Sequence, residues 1–344
     1  MPPATNSPMP LMKLLSPAPR VWIDWQAAHC PACSTAPLPN DYNACMKNQP
    51  RFHRPRLLVL GCGDVGLRLL PLLVAHYRVF AVTSQESRRA ELRAAGAIPI
   101  VADLDQPATL ARLAGLAPDI VHLAPPQPDG SHDLRSRRLC AVLPAGGRLV
   151  YISTSGVYGD CGGAHIDETR VVAPHNQRAT RRVDAEQLWR GWGRRGATVS
   201  ILRVPGIYAA DRLPLKRLAQ GTPALRTEDD VYTNHIHADD LARIIVRALQ
   251  RGRPGRVYHT VDDSELKMAD YFDAVADAHG LARPPRLARA ALRDVVSPML
   301  LSFMSESRRM ENRRIKDELG VRLLYACVAD ALPSAPPGPV AAVE

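Results

Sequence analysis

Aromatic residues and long hydrophobic runs are scarce in this chain of 344 residues. Phe, Trp and Tyr make up 5% of it, which is too few for an aromatic platform that stacks nucleic-acid bases. The longest uninterrupted apolar run, from Leu69 to Ala75, is far shorter than the ~20 residues of a membrane-spanning helix. These absences argue against a nucleic-acid partner and against a membrane partner.

Lysine is also rare, since 5 of the 44 basic residues are Lys and the rest are Arg. This excess of Arg over Lys indicates the base composition of the genome rather than a binding surface. The basic residues behind the net charge of +10 are spread along the chain, which also argues against a concentrated anion-binding surface. The seven cysteines form no framework of paired spacings, and no continuous apolar segment of a secretory signal follows Met1. We therefore expect a reducing, cytoplasmic location.

The first fifty residues have no helical or strand periodicity, and we expect residues 1–50 to be a disordered tail. Cys30 and Cys33 provide one ligand pair, whereas a structural zinc site usually takes two, so we expect no metal. As an alternative, Met46 is the native start and the upstream residues are a gene-model extension. A second disordered tail is expected over residues 334–344.

Short apolar segments alternate with helical segments from residue 55 onward, which predicts a parallel sheet with helices on both faces. The predicted fold is a doubly wound α/β sheet of the Rossmann type over residues 55–255. A smaller C-terminal substrate lobe is expected over residues 256–333, together with parts of 205–235. Its predicted elements are a strand at 256–261 and helices at 268–279, 286–293 and 307–318.

A glycine-rich turn, Gly61-Cys62-Gly63-Asp64-Val65-Gly66, directly follows the first predicted strand and opens a helix. In this spacing the first glycine makes the tight turn, the second admits a pyrophosphate and the third lets the helix pack on the strand. The free N–H groups of a helix N-terminus also favour anions. This context predicts a dinucleotide site, with an unliganded glycine turn as the alternative.

The end of the second predicted strand lacks the acidic residue that commonly binds the ribose of NAD. Thr83 and Ser84 stand there, followed by Arg88 and Arg89, and an Arg can pair with a 2′-phosphate. We therefore expect NADP as cofactor, with NAD as the alternative. Asp103 is a candidate acceptor for the adenine amino group, or else a turn cap.

Four segments resemble the extended branch of the short-chain dehydrogenase/reductase superfamily, which contains NAD(P)-dependent epimerases and dehydratases. They are the glycine turn and the segments Tyr151–Gly159, Leu202–Tyr208 and Asn234–Leu241. The resemblance implies contacts between the cofactor and residues that follow several strands, including Val204 and Pro205 beside the nicotinamide. The full set of expected cofactor-binding residues is Gly61, Gly63, Asp64, Val65, Gly66, Thr83, Ser84, Arg88, Arg89, Asp103, Leu104, Leu123, Ala124, Pro125, Arg182, Val204 and Pro205.

The Tyr-x-x-x-Lys pair of that superfamily is missing. Arg178 and Arg182 stand at the two positions, no Lys occurs between Lys47 and Lys216, and no Tyr occurs between Tyr158 and Tyr208. Arginine cannot exchange a proton near pH 7. The expected catalytic residues are therefore Thr154, which matches the Ser/Thr position of the family, and Tyr158, which alternatively packs beneath its loop.

The resemblance implies an NAD(P)-dependent oxidoreductase or epimerase/dehydratase-like enzyme that acts on a small-molecule substrate. The alternative is a non-catalytic NADP(H)-binding sensor or scaffold. Arg309, Asn312 and Lys316 recur at helical spacing, which predicts either a basic stripe for an anionic substrate or a solvated helix face. The resemblance also implies a homodimer through the helix at about 176–195 and its neighbour.

Overall fold

The computed structural model describes residues 54–333, and the predictions for residues 1–50 and 334–344 lie outside this range. Its centre is a parallel sheet of seven strands in the order β7-β6-β5-β4-β1-β2-β3. The strands are β1 (Arg56–Leu60), β2 (Arg78–Thr83), β3 (Ile98–Val101), β4 (Asp119–His122), β5 (Arg148–Thr154), β6 (Thr198–Val204) and β7 (Arg256–His259).

The strand order reverses between β1 and β4, which are neighbours in the sheet although two strands separate them in sequence. From β1 the chain winds outward through β2 and β3, and from β4 it winds outward in the other direction. In such sheets ligands bind outside the carboxyl ends of the strands at this reversal. The glycine turn directly follows β1 and therefore lies at this position.

Ten helices are described: α1 (Asp64–Leu73), α2 (Arg89–Ala94), α3 (Leu134–Val142), α4 (Gln177–Gly193), α5 (Leu215–Ala219), α6 (Ala238–Arg251), α7 (Met268–Ala278), α8 (Arg289–Leu292), α9 (Pro298–Phe303) and α10 (Arg313–Leu319). Two short 3₁₀ turns, Pro107–Thr109 and Ala111–Leu113, connect β3 to β4.

Alternate side chains of the central strands belong to two hydrophobic cores, because successive residues of a strand face opposite sides of the sheet. Leu57 and Val59 pack with α1 and α6 in one core. Leu58 and Leu60 pack with α3 and α4 in the other, which includes the fully buried Trp189. Burial on both faces explains why these strands are continuously apolar in sequence.

A separate hydrophobic cluster forms the smaller lobe and includes Tyr208, Leu218, Phe272 and Leu292. Four two-stranded ladders are described outside the central sheet. They pair Gly206–Tyr208 with His235–His237, Ala224–Leu225 with Arg286–Leu287, Tyr232–Thr233 with Leu266–Lys267, and His165–Ile166 with Arg309–Met310.

Three sequence predictions for the lobe need correction. The strand predicted at 256–261 is β7, the edge strand of the central sheet. The helix predicted at 286–293 begins only after Arg286–Leu287, which pair as a strand. The helix predicted at 307–318 begins at Arg313, because Arg309–Met310 pair with His165–Ile166.

The proposed basic stripe is therefore wrong, since its three residues do not share a helix. Arg309 donates from Nε to the carbonyl oxygen of Gly163 at 2.8 Å. Asn312 and Lys316 both donate to the carboxylate of Asp263, at 2.6 and 2.5 Å. These side chains hold neighbouring segments together and form no common surface for a substrate.

Candidate functional site

The glycine turn brings the ends of β1 and β4 into close contact. Gly61 has a φ of +79°, and a Cβ atom there would lie 2.7 Å from the backbone of Ala124. A Cβ atom on Gly66 would lie 2.8 Å from the Sγ of Cys62. Both glycines are therefore required by the packing of the turn itself, independently of any ligand.

Gly63 differs from its two neighbours, because a Cβ atom there would meet nothing within 4 Å. It lies directly before α1, whose first N–H groups have no partner within the helix, and it lines an open cavity of about 250 Å³. Packing does not explain a glycine at this place, whereas close approach of a phosphate does. The residues present thus fit a dinucleotide.

The cavity lies against the carboxyl ends of the strands around the reversal point. Nine of the predicted cofactor residues line it, namely Gly61, Gly63, Thr83, Ser84, Arg88, Asp103, Leu104, Ala124 and Pro125. They come from the ends of β1, β2, β3 and β4 and from the turn before α2. The topology of the sheet therefore brings together residues that are as far apart in sequence as Gly61 and Pro125.

Arg88 is held in the wall of this cavity by two hydrogen bonds. Its Nη1 donates to the carbonyl oxygen of Cys62 at 2.6 Å, and its Nε donates to Glu91 at 2.8 Å. Arg89 is paired with Glu86 at 2.5 Å and does not line the cavity. The two arginines were predicted together, but the structure separates them.

Arg135 lines the same cavity and was not predicted. Its guanidinium donates twice to Asp105, at 2.9 and 2.5 Å, and once to the carbonyl oxygen of Pro125 at 3.0 Å. The sequence carried no signal for Arg135, because it lies on α3, far from the glycine turn.

Cys62 also lines the cavity, and burial raises the pKa of its thiol to about 11.

Asp103 lies in the cavity wall, and one oxygen of its carboxylate accepts the backbone N–H of Asp105 at 2.9 Å. The turn-capping alternative is thus realised. This bond is compatible with Asp103 also accepting a hydrogen bond from the adenine amino group, because a carboxylate has further acceptor positions.

Eight predicted cofactor residues do not line the cavity, namely Asp64, Val65, Gly66, Arg89, Leu123, Arg182, Val204 and Pro205. Asp64 forms ion pairs with Arg68 and Arg212. Val65 and Leu123 pack against the core beneath α1. Val204 ends β6 and Pro205 follows it, farther along the sheet edge, where the resemblance places the nicotinamide.

Thr154 ends β5 and is half-buried. Its Oγ1 accepts the backbone N–H of Gly156 at 3.3 Å and so begins the 3₁₀ turn Ser155–Tyr158. A threonine hydroxyl has one proton to donate in addition to its acceptor positions. It therefore remains able to donate to an oxygen of a bound molecule.

Tyr158 lies at the end of that turn and is 1% exposed. Its hydroxyl is 2.6 Å from Nη1 of Arg203 and 2.5 Å from Nε2 of His259. Because Nδ1 of His259 faces the carbonyl oxygen of Glu311 at 3.0 Å, Nδ1 carries the proton. The hydroxyl of Tyr158 thus donates to Nε2 of His259 and accepts from Arg203.

This hydrogen-bond chain continues through a buried ion pair. Arg203 makes two bonds to Glu186, at 3.0 and 2.7 Å, and Glu186 accepts from Ser153 at 2.6 Å. Burial raises the pKa of Tyr158 to about 12. The geometry favours the packing alternative for Tyr158 over the role of proton donor.

The two arginines that the sequence predicted at the dyad positions have different contacts. Arg182 donates from Nη1 to the carbonyl oxygen of Ile152 at 2.7 Å and to the hydroxyl of Tyr151 at 3.1 Å. Arg178 is exposed, and its guanidinium lies 4.5 Å from the centre of the Phe303 ring in the lobe. Neither contact reproduces a tyrosine–lysine pair.

Within residues 54–333 no three His, Cys, Asp or Glu side chains are grouped as a metal site. No helix in the same range is long and apolar enough to cross a bilayer.

The parallel sheet, its reversal point and the glycine turn define a Rossmann-type dinucleotide-binding architecture. The profile of the family described as "NAD dependent epimerase/dehydratase family" matches residues 57–261. The chain belongs to that family. The predicted family resemblance and the predicted doubly wound α/β fold are confirmed, and so is a nicotinamide dinucleotide as the cofactor class of the family.

The chain is similar to a dTDP-glucose 4,6-dehydratase from Streptomyces niveus, with 28% identity over 143 residues. This match spans 39% of the chain and 43% of that relative, which is less than half of the relative's length.

Two solved structures show the same fold over most of their length. A conserved protein of unknown function from Silicibacter pomeroyi DSS has a TM-score of 0.67 and 29% identity, covering 80% of this chain and 96% of that one. DesIV, a dTDP-glucose 4,6-dehydratase from Streptomyces venezuelae solved with NAD and TYD, has a TM-score of 0.65 and 22% identity, covering 80% and 94%.

Proposed function

We propose that the protein is an NADP(H)-dependent oxidoreductase or epimerase-like enzyme that works without a Tyr-x-x-x-Lys pair. The single observation that carries this proposal is the wall of the cavity at the end of β2. Thr83, Ser84 and Arg88 line it, and no carboxylate stands there to bind the ribose of NAD. Arg88 is a fork of donors suited to a phosphate.

The cofactor preference follows from charge. An acidic residue at the end of the second strand would repel a 2′-phosphate, whereas Arg88 attracts it. Arg135 adds a second positive charge to the cavity, although Asp105 neutralises part of it through two hydrogen bonds. NAD, with which DesIV was solved, has no 2′-phosphate and would leave Arg88 without a phosphate to bind.

Thr154 is the residue we place at the substrate. When bound, the dinucleotide supplies or accepts a hydride. The Thr154 hydroxyl donates to the substrate oxygen and orients it. Because arginine does not exchange protons near pH 7 and the hydroxyl of Tyr158 is buried, the proton that reaches this oxygen comes from water.

The substrate is a small molecule that enters between the end of β5 and the lobe. Arg178 on α4 and Phe303 on α9 are in contact, with the guanidinium 4.5 Å from the ring centre, which joins α4 to the lobe. We also propose a homodimer through α4 and its neighbour α3. Sedimentation of the full chain at micromolar concentration tests it, and a monomer at all concentrations contradicts it.

Consumption of NADPH with a panel of aldehydes, ketones and sugar-derived carbonyl compounds tests an oxidoreductase. Chromatographic detection of epimerised or dehydrated product tests the epimerase-like alternative, because such a reaction returns the hydride and consumes no net NADPH. We expect turnover with at least one member, and a loss of about 10²–10⁴-fold in Thr154→Ala, the range typical of acid–base and oxygen-orienting groups. The matched control is Thr169→Ala, an exposed threonine that bonds only to Asp167. Tight NADPH binding without turnover would contradict catalysis and support the sensor alternative.

A further inference from the structure

A second groove lies on the opposite end of α1 from the glycine turn. It has a volume of about 360 Å³, larger than the 250 Å³ of the nucleotide cavity. Pockets that bind small molecules commonly measure about 300–1,000 Å³. Leu72 at the end of α1, Val246 on α6 and Val321 after α10 contribute its apolar wall.

Three arginines surround these apolar residues, namely Arg243 and Arg247 on α6 and Arg322 after α10. Within residues 54–333, neither Arg247 nor Arg322 has a carboxylate within ion-pair distance. Arg247 donates to the carbonyl oxygen of Leu319 at 2.9 Å, which completes the end of α10. Burial and the neighbouring Arg251 lower the pKa of Arg247, which is the behaviour of a cation near other cations.

Arg243 has a carboxylate nearby, but that carboxylate is already engaged. The closest oxygen of Asp240 is 3.7 Å away, and both oxygens of Asp240 accept backbone N–H groups, from Leu324 and Tyr325, at 2.9 to 3.0 Å. The Nη1 of Arg243 is buried and has no hydrogen-bond partner in the described part of the chain. The Arg243 side chain as a whole is 39% exposed and lines the groove, so a ligand in the groove can contact it.

The groove is separate from the nucleotide cavity. The ten residues of α1 (Asp64–Leu73) span ~15 Å along the helix axis, with Gly63 at one end and Leu72 at the other. The two cavities have no lining residue in common. A ligand in the groove therefore does not compete sterically with a dinucleotide.

We infer that this groove binds a small phosphate ester, with the phosphate between Arg243 and Arg322 and the apolar body on Leu72, Val246 and Val321. Guanidinium groups bind phosphate through charge-assisted hydrogen bonds, and in the described part of the chain the side chains of Arg243 and Arg322 make no hydrogen bond of their own. The site does not depend on the proposed enzymatic function.

Isothermal titration calorimetry with phenyl phosphate as the probe tests this inference, using the full chain with and without saturating NADPH. We expect phenyl phosphate to bind equally well in both conditions. Arg243→Gln combined with Arg322→Gln should weaken binding about tenfold or more, because two charge-assisted bonds are lost. Benzyl alcohol, which lacks the phosphate, should not bind detectably.

The matched control is Arg313→Gln, an arginine on α10 that pairs with Asp317 on the surface and lies outside the groove. It should bind phenyl phosphate like the parent protein. Competition by NADPH would place the probe in the nucleotide cavity and overturn the inference. Equal affinity of the double variant and the parent, with unchanged thermal unfolding, would overturn it as well, as would absence of binding at millimolar probe.

Discussion

The Nη1 of Arg88 donates to the carbonyl oxygen of Cys62 at 2.6 Å. This bond joins the segment after β2 to the glycine turn after β1. Arg88, which is expected to determine the preference for NADP over NAD, is thus held against the turn that is expected to bind the pyrophosphate. The guanidinium is thereby positioned in the cavity wall before any ligand arrives, which lowers the conformational cost of binding.

Replacing Arg88 by Ala should weaken NADPH binding by about tenfold or more, because a charge-assisted contact contributes ~1.5–3 kcal/mol. NADH affinity should stay nearly unchanged. Arg89→Ala is the matched control on the next residue, and it should have little effect because Arg89 lies outside the cavity wall and pairs with Glu86. Fluorescence titration of both cofactors measures this, and an equal loss in the two variants would speak against the assignment.

Gly63→Ala should abolish or strongly weaken dinucleotide binding while leaving thermal unfolding unchanged, because its Cβ atom has free space in the folded protein. Gly61→Ala should instead lower the melting temperature, since Gly61 has a φ of +79° and its Cβ atom would lie 2.7 Å from Ala124. Calorimetric unfolding with parallel cofactor titration separates the two effects. An unaffected affinity in Gly63→Ala would show that the phosphates lie elsewhere.

Tyr158→Phe should destabilise the fold by ~1–3 kcal/mol, because buried groups of Arg203 and His259 lose their partner. Turnover of the folded variant should remain close to that of the parent. Denaturant unfolding and steady-state kinetics measure the two quantities. If turnover of a folded Tyr158→Phe protein instead fell by about a hundredfold or more, Tyr158 would be the proton donor after all.

Three buried histidines should make the free energy of unfolding rise with pH between about 4 and 6.5, and their contribution should level off above that window. Burial lowers the pKa of His122 to about 3, of His259 to about 3 and of His235 to about 4, whereas an unfolded His has a pKa of about 6.5. Within the window the unfolded chain binds protons that the folded chain does not, so acid favours unfolding. Each His contributes at most ~1.4 kcal/mol per pH unit.

The pKa shift of Asp262 changes the unfolding free energy with pH in the direction opposite to that of the three histidines, which provides an internal control. Burial raises its pKa to about 7, so between pH 4 and 7 the folded chain holds a proton that the unfolded chain releases, and stability falls as pH rises. Asp262→Asn should therefore make the pH dependence of the unfolding free energy steeper. A flat profile in the parent protein between pH 4 and 6.5 would contradict the assignment of the three histidines.

Much of the nucleotide-binding half was predictable from sequence, because buried parallel strands are apolar runs and the glycine spacing has a specific backbone geometry. Thr83, Ser84 and Arg88 were found from their position after β2, and the structure places all three in the cavity. Arg135 was not found, since it approaches the cavity only through the packing of α3 against the sheet.

The lobe was less predictable, because its elements are short and their period is ambiguous. Arg309 and Lys316 are seven residues apart, which matches a helical repeat, yet Arg309 belongs to a two-residue strand and Lys316 to α10. The hydrogen-bond partners of Tyr158 were equally unpredictable from sequence, since Arg203 and His259 come from two other strands of the sheet.

Equilibrium titration of the unmodified protein with NADPH and with NADH, at the same ionic strength, measures which dinucleotide the cavity prefers. We expect NADPH to bind at least about tenfold more tightly, because Arg88 gains a charge-assisted contact with the 2′-phosphate that NADH cannot provide. The preference should weaken as salt is added, since part of it is electrostatic. Equal affinities for the two cofactors, or tighter binding of NADH, would contradict it.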